Sequence, residues 1–342
     1  MPARCLVRGS INVDEFFQGL RGPVQRFTDL VIIVKEIARP GETISAENLV
    51  KRPGGKGANQ AGALARAGVA VDFVGAIGQD GLWVRDELKE TGVDVESMSV
   101  VEENTGRAII QVNEIGENSI ILYKGANYVS IPSHTIHPDT THAVFQNEIP
   151  LSSTIEYLTQ ASSSQISTIF NPSPMPTPEE LKTFPWHQLT WLVVNSGEAL
   201  ALCKALGLEV PDPSTSASAV DVAKPLLSRL SSGMPTTNVV CTLGADGVLA
   251  QFTLFNSKSE PVYLPAAKLQ GTTRDTTGAG DCFTGYMVAG LMRLEGKEVT
   301  TADYVAVLKR AVQAAGMCVE KRGALASIPL AREVEARLNS AS

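Results

Sequence analysis

Short apolar runs alternate with stretches of helical spacing along most of the chain, the pattern of βαβ units on a mostly parallel sheet. Cys5–Ile11 (CLVRGSI) reads as the first strand, Gly57–Ala67 (GANQAGALARA) as a helix of small residues, and Val71–Ile77 (VDFVGAI) as the next strand. Gly81–Thr91 has helical spacing, and Arg107–Val112 and Ser119–Lys124 read as strands paired around a turn at Glu114–Asn118. Ala143–Gln146, Thr168–Asn171, Trp191–Asn195 and Asn238–Thr242 are further short strands, each followed by a turn or helix signal. The C-terminal third is helical over Gly280–Glu295, Thr301–Glu320 and Ala331–Asn339. The polar Pro/Ser stretch Pro211–Ala219 is a surface connection rather than a domain linker, because the alternation resumes after it. One compact α/β domain over residues 1–342 is expected.

Charge and cysteine usage narrow the class. With 29 Lys+Arg against 36 Asp+Glu the formal charge is −7, so no nucleic-acid or membrane-surface role is expected, since each needs a basic face. No stretch approaches the roughly 18–20 apolar residues of a membrane span, and the start MPARCLVRGSIN lacks a signal-peptide core. Cys5, Cys203, Cys241, Cys282 and Cys318 are scattered through apolar runs with no CxxC, as expected of buried reduced thiols. A cytoplasmic protein is expected, with the nucleus also open. His134, His137 and His142 match no common metal spacing and are interrupted by Pro138, which reads as a loop. Trp83, Trp186 and Trp191 lie too far apart for a stacking platform and read as core.

Three glycine-rich stretches carry the chemistry. Gly54–Ala61 (GGKGANQA) opens a helix, where consecutive glycines let a ligand approach the backbone and free N–H groups meet it. Lys56 and Asn59 add side chains able to donate to hydroxyl groups. Asp275–Asp281 (DTTGAGD) precedes an apolar helix and matches neither the P-loop nor the dinucleotide fingerprint, which disfavours a dehydrogenase. Gly278, Ala279 and Gly280 expose successive amides, an anion hole suited to developing phosphate charge. Asp281 sits beside that hole, where a carboxylate repels the anion unless it serves as general base to an attacking hydroxyl; its bland alternative is a helix cap. Thr242–Gly247 (TLGADG) ends an apolar strand at what would be the carboxyl edge of the sheet.

With these motifs in that order, the chain resembles the ribokinases of the PfkB carbohydrate kinase family from Gly9 to Pro329, GGKGANQA matching the first family signature and DTTGAGD the second, 221 residues apart. The resemblance implies a three-layer α/β/α ribokinase-like fold, with a mostly parallel central sheet and a small β lid from segments near 15–53 and 106–124. It implies ATP-dependent phosphorylation of D-ribose at the 5-hydroxyl, feeding ribose 5-phosphate into pentose phosphate and nucleotide metabolism. Asn12 and Asp14 match the pair that holds the 2- and 3-hydroxyls; Gly55, Lys56, Asn59 and Glu148 match further sugar contacts. Asn195 and Glu198, in NSGE, match the residues that organise Mg²⁺ and its waters. Thr242, Leu243, Gly244, Ala245, Asp246 and Gly247 match the nucleotide loop. Asp275, Thr277, Cys318, Lys321, Gly323 and Ser327 match a site for K⁺ as monovalent activator, mostly through backbone carbonyls. A homodimer through the lid is a further implication. A kinase for another sugar or nucleoside, or a non-catalytic sensor on this fold, are the alternatives; the retained Asp281, Gly278–Gly280 and Glu198 argue against the sensor.

Two departures stand out. Asp14 and Pro40 are 26 positions apart, wider than the family spacing, and Gln18–Ile33 is the surplus. It is an extended lid or interface loop, or sequence foreign to the working enzyme. Val312 falls where ribokinases often carry a polar residue near adenosine, which leaves base preference less constrained than the phosphate chemistry.

Overall fold

The computed structural model describes residues 3–18, 38, 40–45, 48–112, 118–210, 218–254 and 257–340. Apart from Gln18, the surplus segment Gln18–Ile33 lies outside the described residues, as does most of the turn at Glu114–Asn118 and of the connection Pro211–Ala219. The strands are β1 (Arg4–Arg8), β2 (Asn12–Gln18), β3 (Asn48–Gly54), β4 (Ala70–Val74), β5 (Ala76–Gly78), β6 (Ser99–Val101), β7 (Gly106–Val112) and β8 (Asn118–Tyr123). They continue with β9 (Thr140–Gln146), β10 (Ser167–Asn171), β11 (Trp191–Asn195), β12 (Asn238–Thr242), β13 (Val248–Gln251), β14 (Thr253–Leu254), β15 (Ser257–Lys258) and β16 (Val262–Leu264). The α-helices are α1 (Lys56–Arg66), α2 (Leu82–Glu90), α3 (Leu151–Ser163), α4 (Pro178–Thr183) and α5 (Ser196–Ala205). After them come α6 (Ala219–Gly233), α7 (Ala279–Met292), α8 (Thr301–Val319) and α9 (Ala331–Ser340).

Among the described residues the main sheet has the order β16-β13-β12-β11-β10-β9-β1-β4. It is parallel from β4 through β12 and closes with the antiparallel strands β13 and β16. Alternate strand residues feed two cores. Cys5, Val7, Val71, Phe73, Val144 and Val193 face α1, α2, α7, α8 and α9; Leu6, Phe145, Phe170, Leu192 and Val239 face α3, α4, α5 and α6. The result is three layers, α/β/α, as expected for a sheet apolar on both faces. Trp191 packs edge-on against Tyr304 in the first core, and Trp186 against Phe184 at the rim of the second.

The expected strand Cys5–Ile11 is shorter than the apolar pattern suggested. β1 ends at Arg8 and the chain crosses at Gly9–Ile11 into a separate four-stranded sheet, β3-β2-β7-β8. The crossing depends on contact distant in sequence: a Cβ on Gly9 would lie 2.7 Å from the Gly57 Cα and 2.2 Å from Gln146 Oε1. Val71–Ile77 likewise divides at Gly75 into β4 and β5, because a Cβ there would meet the Phe73 ring at 2.6 Å. All five cysteines are buried and free of disulfides.

Candidate functional site

The parallel strands end on one edge, and the predicted residues gather there, as crevice ligands do in open α/β sheets. Helix α7 anchors the edge. Every residue from Asp281 to Met292 is buried, so the helix behind its half-buried Ala279 and exposed Gly280 is held from all sides. Gly278 caps it in the left-handed region at φ 76°, and a Cβ there would meet the Ala324 Cα at 2.9 Å. Ala279, Gly280 and Asp281 are the first three helical positions, whose amides have no intrahelical acceptor. Asp281 is 6% exposed and does not cap the helix with its side chain. Its Oδ2 accepts from Asn59 Nδ2 at 3.0 Å and its Oδ1 from Gln60 Nε2 at 2.9 Å.

On one side of Asp281 lies a polar pocket. Glu148 Oε2 accepts from Ser10 Oγ at 2.6 Å and from the Lys56 amide at 2.9 Å, which ties the turn after β9 to the start of α1. Gly55 adopts φ 91°, a conformation that lets the chain turn into α1 over the Ile11–Asn12 backbone. Asn12 Oδ1 accepts from Asn127 Nδ2 at 2.7 Å, which turns the Asn12 amino group outward as a donor. Asp14 is 7% exposed beneath Gly54. Burial first, then the charges of Glu148 and Asp281, push its carboxyl up to about 7. Burial alone lowers the Lys56 ammonium, yet Asp281, Glu148 and Glu198 outweigh it and raise its pKa above the ordinary value.

On the other side a cavity of about 490 Å³ opens between α7, α8 and the loop after β12. Ala279 and Gly280 form its floor, with Thr242, Gly244, Ala245, Gly247 and Asn195 along one wall. Ala267, Leu269, Val312, Ala315 and Gly316 give the far wall an apolar character suited to a flat ring. Leu243 and Asp246, predicted with this loop, stand apart: Leu243 packs into the second core and Asp246 is exposed, its amide spent on the Leu243 carbonyl at 3.1 Å.

Asn195 and Glu198 form a reciprocal capping box on α5, with Asn195 Oδ1 accepting from the Glu198 amide at 2.8 Å and Glu198 Oε2 from the Asn195 amide at 2.9 Å. This leaves Glu198 Oε1 outside the pair. Behind the anion hole, Asp275 Oδ1 accepts from the Thr277 amide at 3.0 Å and Oδ2 from the Gly323 amide at 2.9 Å. Cys318 Sγ is 2.9 Å from Ser327 Oγ, and the Lys321 amide donates to the Cys318 carbonyl at 3.1 Å. The six residues of the expected cation site thus lie on the loop before α7 and on the last turn of α8 with the segment that follows it, whereas the Lys321 ammonium points away toward Glu333 at 3.9 Å. His142 is buried on β9, where burial lowers its imidazole to about 4; His134 and His137 precede β9, at the opposite edge of the sheet.

Sequence reasoning missed Ser10, Gln60, Asn127, Gln146 and Asn171. Ser10 and Gln60 sit within motifs already singled out. Asn127 carried no local signal, because its contact with Asn12 spans 115 residues.

Comparison with known proteins places this geometry. The pfkB family carbohydrate kinase pattern matches residues 26–331. A Staphylococcus aureus ribokinase is 32% identical, the alignment covering 98% of this chain and 99% of that one. The crystal structure of a Cryptococcus neoformans ribokinase in complex with ADP is 45% identical, with a TM-score of 0.85 over 98% of this chain and 99% of that one. The Arabidopsis thaliana ribokinase complexed with ribose and ATP is 26% identical, with a TM-score of 0.78 over 99% of each chain. A match of this extent, in family pattern and in end-to-end relatives alike, means that the chain belongs to the pfkB family of carbohydrate kinases.

Proposed function

We propose that the protein is an ATP-dependent ribose kinase, which transfers the γ-phosphate of ATP to the 5-hydroxyl of D-ribose to give ribose 5-phosphate and ADP. One observation carries this reading: Asp281, a buried carboxylate held through both oxygens, stands between a hydroxyl-binding pocket and a cavity floored by the N-terminus of α7.

The sugar occupies the pocket of Asn12, Asp14, Gly55, Lys56, Asn59 and Glu148. Asn12 offers a donor and Asp14 an acceptor to neighbouring hydroxyls, and Lys56 balances the carboxylates around it. Asp281 takes the proton of the 5-hydroxyl as that oxygen attacks the γ-phosphorus in line, and ADP leaves. The amides of Gly280 and Asp281 meet the transferring phosphoryl group, with that of Ala279 beside them shared with the Thr276 carbonyl at 3.3 Å, so that positioning and electrostatics supply most of the catalysis. Thr242, Gly244, Ala245 and Gly247 line the nucleotide with Asn195.

Among the described residues no group of three His, Cys, Asp or Glu side chains could hold a metal, which suits an ion that arrives with the triphosphate. Mg²⁺ neutralises charge on the β- and γ-phosphates when bound, and Glu198 would hold its waters through Oε1. The loops of Asp275–Thr277 and Cys318–Ser327 offer backbone carbonyls, the hard neutral donors that suit K⁺, directly behind Gly278. The small sheet forms the lid, and its edge strand β8 exposes Ile120 and Leu122 on one side and Ile121 and Tyr123 on the other, an apolar edge suited to a second copy of the chain. The buried thiols fit a reducing, cytoplasmic setting.

ADP formation with ribose, fructose, adenosine and 2-deoxyribose, with and without potassium, tests the reading. Ribose should give the highest kcat/KM and potassium should raise it; faster turnover of adenosine would make the protein a nucleoside kinase instead.

A further inference from the structure

Asp281 is held from the side opposite the anion hole, and the hold runs back into the sheet. Gln60, fully buried on α1, gives Nε2 to Asp281 Oδ1 at 2.9 Å and faces Asn171 Oδ1 with the same nitrogen at 3.4 Å. Its Oε1 accepts from Gln146 Nε2 at 2.7 Å. An amide can be turned end for end with little change of shape, so its neighbours decide which end points where. Here the deciding group is the Val193 carbonyl, which can only accept. Asn171 donates Nδ2 to it at 2.9 Å and must therefore turn Oδ1 toward Gln60. Gln60 answers with its amino group, and the same group then reaches Asp281. Gln146 and Asn171 end β9 and β10 and Val193 lies in the middle of β11, so three adjacent strands set the direction of one bond.

Helix packing brings Gln60 within reach. A Cβ on Gly285 would lie 2.4 Å from the Ala63 Cβ and 3.0 Å from the Gln60 carbonyl, so α1 and α7 approach at a spacing only glycine permits. The other hold on Asp281, Asn59, has a buried Oδ1 with no protein partner among the described residues. That end is available to a substrate hydroxyl, and Asn59 cannot be committed wholly to Asp281.

We propose that Gln60 is a positioning residue for phosphoryl transfer: it anchors the carboxylate of Asp281 and aims it at the acceptor hydroxyl, while Gln146 and Asn171 fix the sense of its amide. The inference rests on the reading of Asp281 as the base. With Gln60 removed, Asp281 is tethered at one oxygen only and samples orientations in which it cannot take the proton, although neither substrate loses a direct contact.

Steady-state kinetics of Gln60→Met and Gln146→Met test this, using whichever sugar of the panel the wild-type enzyme turns over fastest. Gln60→Met keeps the length and apolar bulk of the side chain and removes a bond to a charged group. It should lower kcat about 10- to 100-fold, with KM for sugar and for ATP held within about twofold. Gln146→Met loses one neutral bond further out and should lower kcat about 3- to 10-fold. In the Gln60→Met background it should cost nothing more, because it acts only through Gln60. Wild-type kcat in Gln60→Met overturns the proposal, as does a loss shared equally with KM. If Gln60→Met does not fold, Gln146→Met decides: unchanged kcat there overturns it. Asp281→Asn is the control. Turnover surviving in that variant defeats the base assignment and this inference with it, whereas a sugar other than ribose as best substrate defeats only the ribose reading.

Discussion

Gly54 lies against the carboxylate of Asp14, so closely that a Cβ at position 54 would come within 2.0 Å of Asp14 Oδ2. The obstacle is the far end of a side chain rather than backbone, so Gly54→Ala should fold and displace Asp14 instead of breaking the sheet. Its KM for ribose should rise about tenfold or more, equivalent to ~1.4 kcal/mol of sugar binding, while its KM for ATP stays put. Initial rates with each substrate varied in turn check this; an unchanged ribose KM would mean that Asp14 does not touch the sugar.

Asp14 also sets a conflict between stability and binding. An unfolded aspartate loses its proton near 3.8, whereas burial, Glu148 and Asp281 keep the folded group protonated up to about 7. Between those values the folded state holds more protons, so the substrate-free protein loses stability as pH rises from about 4 to 7. The full cost is on the order of 2–4 kcal/mol above pH 7. Asp14→Asn removes it. The variant should melt above wild type at pH 8, with the gap closing toward pH 4.5, even as it loses sugar affinity. Equal melting temperatures at pH 8 would refute the assignment of a strained, buried charge.

Gly278 and Gly280 should fail in different ways. Gly278 has φ 76° and meets Ala324, so Gly278→Ala strains the turn and pushes on the 318–327 loop. We expect a loss of ~1–3 kcal/mol of stability together with a large loss of kcat. A Cβ on Gly280 meets nothing within 4 Å, and it borders the nucleotide-side cavity. Gly280→Ala should therefore keep its melting temperature and lose ATP affinity. Thermal denaturation beside ADP titration separates the two; a low-melting, nucleotide-tight Gly280→Ala would contradict the placement of phosphate on this helix end.

Asp275 joins the two loops behind the anion hole by accepting one amide on each oxygen. An asparagine can accept on only one end, so Asp275→Asn must release Thr277 or Gly323. Potassium activation should fall about tenfold or disappear, the loss of one charge-assisted bond, while turnover without potassium changes little. Rates across a KCl series at constant ionic strength, balanced with tetramethylammonium chloride, measure it; an unaltered potassium response would place the cation elsewhere.

Much of this site was legible in the sequence because its chemistry is local. The glycine turns, the helix starts and Asp281 lie within two short motifs, and β11 and β12 end where the apolar runs end. The signals for α5 and α6 were present too, as the capping pairs Asn195/Glu198 and Ser218/Asp221. What escaped the sequence was set by distant contacts. The break after Arg8 depends on Gly57 and Gln146 pressing on Gly9, and no window of apolar spacing contains all three. The short strands β13 and β16 take their direction from antiparallel pairing, β13 with β12 and β16 with β13. Gln146 reads as the end of a strand, and its use emerges only when Gln60 is brought beside it. Asn195 and Glu198 carry two signals in one pattern, since the pair expected near Mg²⁺ also satisfies a helix terminus.

Only Gly9–Ile11 separate a strand of the main sheet from a strand of the small one, and Asn127 grips that joint by bonding both the amide and the carbonyl of Ile11. Asn12 and Asp14 ride on one side of the joint; Asp281 and its supports ride on the other. In the proposed reaction the sugar is therefore held from both sides, by Asn12 and Asp14 on the small sheet and by Lys56, Asn59 and Glu148 on the main body, across this three-residue crossing and the single residue Gly55 between β3 and α1. The short crossing after Arg8 thus fixes the separation of the two halves of the pocket through three residues of bonded backbone.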